Sequence, residues 1–171
     1  IDFIIIGLGE KKKLNAKNIR QYLFDGLKNI TGKVFLGFVD KDLDDIDIIA
    51  EVVEHINYKF DKYLTKKKEE FLEVSYLTDK KVPKLIEGYE LAKISNIVKD
   101  LVNEQAEVLN PKELANRATK LGKEFGFDVE ILDEKKAQKL GMNAYLGVAR
   151  AAHHRPNVIV MRYKGDAKSK Y

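Results

Sequence analysis

The chain has 171 residues, a formal net charge of +4, 44% hydrophobic and 34% charged residues, and no cysteine. That length and balance suit a folded globular protein with one large or two small cores, not a disordered chain. Disulfides and thiolate metal sites are excluded, the mild basicity alone makes no case for nucleic acid, and no apolar run approaches the roughly 18 residues of a membrane span. No signal peptide is visible, so a cytoplasmic location is the default expectation.

Asp2 to Leu8 is a short apolar run that predicts a buried strand. Gly7-Leu8-Gly9 follows it, but a dinucleotide fingerprint needs a third glycine where Lys12 stands, so a plain tight turn is the reading. Asn15 is placed to cap a helix running to about Ile30, with Ile19, Tyr22, Leu23, Leu27 and Ile30 facing inward. Thr31-Gly32 ends it, and Val34 to Val39 predicts a second buried strand.

The acidic run from Asp40 to Asp47, with Glu51 twelfth in line, imitates a calcium loop. Asp45 stands where that loop needs glycine, so acids gathered at a helix N-terminus are the reading. The following helix turns Ile48, Ile49, Val52, Val53 and Ile56 inward. His55 is isolated and reads as helix surface or core, not as a ligand. Tyr58, Phe60 and Tyr63 interleave with Lys59, Lys62 and Lys66–Lys68, which reads as core aromatics beside a solvated basic loop. Phe71 to Leu77 is a third strand with two partly buried faces.

Pro83 stands near the start of a long helix through Asn103, on which Leu91, Ile94, Val98, Leu101 and Val102 share one apolar face. After a polar joint, Asn110 is a good N-cap, Pro111 suits the first helical position, and Glu113 sits where a capping-box carboxylate belongs. Leu114, Ala118, Leu121, Gly122 and Phe125 form the expected buried stripe of this next helix, and Gly126 stops it. Phe127, Val129 and Ile131 alternate with Asp128, Glu130 and Leu132 as a half-buried strand. Asp133 caps a short helix ending near Leu140-Gly141, residues 143–152 are rich in small side chains, and Val158 to Tyr163 predicts a buried strand. Strands alternating with helices predict an α/β fold with a mostly parallel first layer. His153-His154-Arg155 suggests metal, but adjacent histidines point apart and seldom share an ion alone, so a surface loop is the reading.

Several of these stretches together resemble the leucyl aminopeptidase family. They are Tyr58-x-Phe60-Asp61-x-Tyr63-x-x-Lys66-Lys67, Lys99-Asp100-Leu101-Val102-Asn103-Glu104, Asn110-Pro111-x-x-Leu114-Ala115 and Leu140-Gly141-Met142-x-Ala144-Tyr145-Leu146-Gly147-Val148. The similarity covers nearly the whole chain, most firmly from Ile97 to Gly165. Gln105-Ala106-Glu107 and the stretch from Arg150 to Pro156 depart from the family's loops. The resemblance implies that residues 1–82 are the later part of a macro-like N-terminal α/β domain, residues 83–104 a linking helix, and residues 105–171 the opening of the metallopeptidase catalytic domain. Both ends of the chain then read as cut edges of something longer.

The family's chemistry uses two divalent metal ions, zinc or manganese, which activate a bridging water and polarise the scissile carbonyl of a peptide substrate. Its ligands lie in a Lys-Gly-x-x-Phe-Asp-Ser-Gly-Gly motif and an Asn-Thr-Asp-Ala-Glu-Gly-Arg motif. Lys164-Gly165-Asp166 is not followed by Phe-Asp-Ser, and neither motif is present. The expectation is therefore a portion of a cytoplasmic, hexameric exopeptidase. No catalytic or metal residue is assignable in this chain, no metal is expected on it, and substrate-binding residues stay unassigned. The expected partners are peptide substrate and further copies of the chain, with neither membrane nor nucleic acid. The alternative is a non-catalytic assembly module, or a nucleotide- or nucleic-acid-binding α/β module using Lys66–Lys68 and the Gly7-Leu8-Gly9 turn.

Overall fold

Asn15 does at the start of the first helix what its chemistry allows: its side-chain oxygen accepts the Asn18 N–H at 3.0 Å and opens α1, Ala16–Leu27. The computed structural model describes residues 4–37, 46–67, 70–76 and 82–165, with backbone alone at Ile46, Tyr76 and Val82. The expected acidic run at 40–45, Val39, Lys68 and Leu77 lie outside the described residues. The chain divides into two units, Ile1–Asn103 and Glu104–Tyr171.

In the first unit α1 is followed by β1 (Gly32–Leu36), α2 (Ile46–Asn57), β2 (Leu72–Tyr76) and α3 (Val82–Asn103). The β1 and β2 strands pair in parallel from Gly32↔Leu72 to Leu36↔Tyr76, with α2 as the crossover that parallel pairing requires. Ile19 and Leu23 of α1 meet Ile48, Ile49 and Val52 of α2 in the core, with Leu8, Leu14, Leu36, Val53 and Ile56 packed around them. Leu27 is buried as expected and Tyr22, within α1, is exposed; Ile30 is half-buried beyond the helix, which ends at Leu27, three residues before the expected limit.

Two strand expectations need correction. Residues 4–8 form no strand: Ile5 is exposed, and Ile6 instead lies against Gly26 on α1. A strand exists only through a hydrogen-bonded neighbour, and among the described residues this sheet has two members, β1 and β2. Gly9, at φ 80°, makes the turn expected after the run. The β1 strand is not fully buried either, since Phe35 is 70% exposed on the face away from the helices.

The long helix also corrects its expected face. Leu91, Ile94, Val98 and Val102 are 52%, 52%, 54% and 78% exposed. The face set against α2 carries Gly88, fully buried Ala92, Asn96 and Lys99. A Cβ at Gly88 would collide with the Asp47 carbonyl, so the absence of a side chain lets the two backbones approach. Hydrophobic periodicity located an apolar stripe, but the tightest helix contact was chosen by side-chain size.

The second unit contains α4 (Pro111–Phe125), β3 (Asp128–Leu132), α5 (Glu134–Lys139), α6 (Asn143–Ala149) and β4 (Val158–Arg162). Asn110 accepts the Glu113 N–H at 3.0 Å, Pro111 occupies the first turn, and Gly126 closes the helix at φ 75° with its N–H on the Gly122 carbonyl. Asp133 caps α5 in the same way, accepting from Lys136 N–H at 2.9 Å. The α4 face that packs is again the small one, Ala115, Ala118 and Gly122, whereas Leu114 and Phe125 are exposed. A Cβ at Gly122 would stand 2.7 Å from the Phe127 carbonyl, so β3 passes directly over this glycine. The strands β3 and β4 pair antiparallel, Asp128↔Arg162 to Leu132↔Val158. The β4 strand is half-buried where a buried one was expected, with Met161 exposed and Tyr163 beyond it also exposed. The whole is α/β, as the sequence implied, in two small sheets each dressed by helices.

Candidate functional site

The densest set of interacting polar side chains in the first unit runs along the seam of α2 and α3. Lys99 reaches across from α3 to place Nζ 2.9 Å from His55 Nδ1 and 2.9 Å from Asn96 Oδ1. Its ammonium also sits 4.8 Å from the centroid of the Tyr58 ring, a cation–π arrangement. Burial pushes the Lys99 amine below its ordinary value, and the Glu54 carboxylate opposes that shift. The Tyr58 hydroxyl donates to Asp100 Oδ1 at 2.9 Å and accepts from Asn103 Nδ2 at 3.0 Å. Burial raises the Tyr58 phenol, and the Asp100 charge adds to the shift while the Asn103 bond works against it.

Behind this, Glu51 on α2 accepts from Arg20 of α1 at 2.8 Å and lies 3.9 Å from His55 Nε2. His55 is therefore a member of a part-buried polar seam joining three helices. Lys99, Asp100 and Asn103, three residues of one sequence motif, all act on the segment after α2. What the motif does here is clamp Tyr58 to the end of α3.

The segment from Tyr58 to Lys67 is less of a core element than expected. Tyr58 is half-buried, but Tyr63 is exposed, edge-on to Phe60 at 6.0 Å, with Lys62 over its ring. Lys67 pairs with Asp61 at 3.0 Å, which neutralises part of the basic loop. Sequence reasoning missed Asn57. Its amide donates to the Leu72 carbonyl at 2.8 Å and accepts from the Leu72 N–H at 2.7 Å. An asparagine as the last residue of an apolar helix was the available signal.

In the second unit, Arg117 on α4 joins Glu113 at 3.1 Å and Glu104 at 3.4 Å. The hydrogen bond to Glu113 is the largest cause raising the guanidinium's pKa. The Glu104 side chain is 2% exposed and also accepts the Gln105 N–H at 3.1 Å. His153 and His154 are exposed and meet edge-on at 5.2 Å, while Arg155 turns to Glu134.

Among the described residues no group of three or more histidine, aspartate, glutamate or cysteine side chains is arranged to hold a metal ion. No helix among the described residues is long and apolar enough to cross a membrane.

Comparison with known proteins gives a consistent set of similarities. Residues 96–171 match the catalytic domain of the cytosol aminopeptidase family, Peptidase_M17. A probable cytosol aminopeptidase of Fusobacterium nucleatum is 90% identical over 171 residues, 100% of this chain and 36% of that protein. One from Persephonella marina is 34% identical over 98% of this chain and 37% of its own length. The chain thus spans about a third of the length of the curated relatives it matches. Among solved structures, the bottromycin maturation enzyme BotP in complex with Mn superposes with a TM-score of 0.73 at 21% identity, over 93% of this chain and 36% of that one. At that identity the likeness is one of fold.

Proposed function

The chain belongs to the cytosol aminopeptidase family, and from that premise we propose that it supplies the structural third of a metal-dependent exopeptidase that releases N-terminal residues from peptides in the cytoplasm. The observation that carries this is the 90% identity to a probable cytosol aminopeptidase along the whole chain. In this reading the two divalent ions, zinc or manganese, are held by residues outside the 171 described by this sequence. The chain's own part is to form the fold, and by itself it does not hydrolyse peptides. What supports that division is length: the chain spans about a third of the relatives, leaving room elsewhere in a family-length protein for the ligands. The first unit is read as part of a macro-like domain, and the working assembly as a homo-hexamer.

The test compares this 171-residue chain with the longer Fusobacterium nucleatum relative on a leucyl amide substrate, each supplied with Mn or Zn. Turnover by the longer protein alone is expected. Metal-dependent turnover by the 171-residue chain overturns the division of labour, and no turnover by the longer protein overturns the peptidase reading itself.

A further inference from the structure

Three polar atoms meet where α2 faces α3, and only one of them brings protons to the contact. Asn96 turns its oxygen to this point, an orientation set by its own amide nitrogen, which donates to Glu54 Oε1 at 3.4 Å. That oxygen can only accept. His55 Nδ1 stands 3.3 Å from it, and the Lys99 ammonium lies 2.9 Å from both. An ammonium can only donate, so while it bonds to both atoms Nδ1 is bare and the ring proton sits on Nε2, which faces Glu51 Oε1 at 3.9 Å.

A proton added to the ring must therefore go on Nδ1. Imidazolium and ammonium would then be two donors 2.9 Å apart with no acceptor between them, and in a part-buried seam water screens their repulsion poorly. The ring has replacements at hand, Asn96 Oδ1 for the Nδ1 proton and the Glu51 carboxylate for the Nε2 proton. Lys99 is the group that can move, since it ends a flexible stem and burial already disfavours its charge. Among the described residues the other charged groups facing the seam are Glu54 on α2, which favours the Lys99 charge, Arg20 on α1, which holds Glu51 at 2.8 Å, and Asp100 on α3, bonded to the Tyr58 hydroxyl. None of them supplies an acceptor between Nδ1 and Nζ.

We propose that His55 and Lys99 form a proton-operated latch within the first unit: the neutral ring receives Lys99, and the protonated ring expels it and takes Asn96 and Glu51 instead. The cation then leaves the Tyr58 ring, whose centroid it faces at 4.8 Å, so the change reaches the residue that ties the segment after α2 to the end of α3. The proposal uses atoms of one unit and does not depend on the peptidase reading.

The test is an NMR titration of the 171-residue chain from about pH 8 to about pH 5, the range in which histidines change charge, following the ring nitrogens of His55 and the ε-methylene of Lys99. With the ring neutral the proton is expected on Nε2, and a proton on Nδ1 overturns the proposal. On acidification the Lys99 signal is expected to shift along the same curve as the His55 ring. A Lys99 signal that stays still while His55 titrates overturns the proposal, and so does a ring that gains no proton in this range. His55→Asn offers an oxygen near the place of Nδ1 that takes up no proton, so Lys99 is expected to stay seated and the shift to be lost. A shift that survives in this variant overturns the proposal by assigning the change to another group. If the chain alone gives no folded spectrum, the contact is read in crystals of the longer Fusobacterium nucleatum relative with its matching span replaced by this chain. Nζ beside Nδ1 at the higher pH and withdrawn at the lower supports the latch, and an unchanged contact overturns it.

Discussion

Asn57, the last residue of α2, grips Leu72, the first residue of β2, at both of its backbone groups: the amide nitrogen meets the carbonyl at 2.8 Å and the amide oxygen takes the N–H at 2.7 Å. Leu72 is buried, so these backbone groups have no ready exchange with water. Asn57→Ala leaves both unsatisfied and costs about 1–3 kcal/mol. A lower urea midpoint with an unchanged slope in equilibrium unfolding checks this.

Two helical glycines give opposite expectations. Gly88→Ala drives a Cβ into the Asp47 backbone and costs about 1–3 kcal/mol through overpacking. Gly147→Ala meets nothing within 4 Å on α6, and gains about 0.5–1 kcal/mol of helix propensity. Thermal melts of the two variants beside the parent separate steric fit from propensity.

Tyr58 and Lys99 should give alkaline stability two opposing slopes. The Tyr58 phenol is raised in the fold, so its contribution is intact below the unfolded value of about 10 and fades as pH climbs toward the folded value. The Lys99 amine is lowered, so its burial cost is full at neutral pH and is relieved as pH rises toward the unfolded lysine value. Tyr58→Phe removes the downward slope and costs about 1 kcal/mol at pH 7 through the two lost hydroxyl bonds. Lys99→Met removes the upward one. Urea unfolding at intervals from pH 8 to 11 distinguishes the three proteins.

Arg117→Met takes the guanidinium away from the buried Glu104 carboxylate. A cost of about 2 kcal/mol is expected, less than a fully buried pair would lose, because the guanidinium is 28% exposed. Glu104→Gln keeps an acceptor for the Gln105 N–H and should cost less. Chemical denaturation of both variants ranks them, and the reverse order would show that Glu104 does not depend on Arg117.

What the sequence disclosed is uneven for a physical reason. Asn15, Asn110, Asp133 and Gly126 were legible because a cap is settled within four residues of itself, by a side chain meeting a nearby N–H or by a backbone that turns left-handed. The face of α3 was misread, and α4 only in Leu114 and Phe125, because periodicity ranks apolar area. Contact distance instead selected Gly88 with Ala92 on α3, and on α4 kept the expected Ala118 and Gly122 while leaving the larger side chains out. Residues 4–8 carry the composition of a strand, but pairing is a property of two segments and no local pattern reveals the second. The seam of Tyr58 with Asp100 and Asn103 was hidden by sequence separation. Tyr58 alone read as a core aromatic with no stated partner, and only the closed fold brings it to Asp100 and Asn103.

The bare Cα at position 88 is an all-or-nothing condition for a drifting sequence. Leucines and valines along the outer stripe can be exchanged one for another in small steps, whereas any side chain at 88 forces α2 and α3 apart at once. A distant cousin that carried one would hold its helices on a wider spacing. The phenol at 58 would then fall short of the carboxylate and amide at 100 and 103, so the glycine and the tyrosine should be lost as a pair.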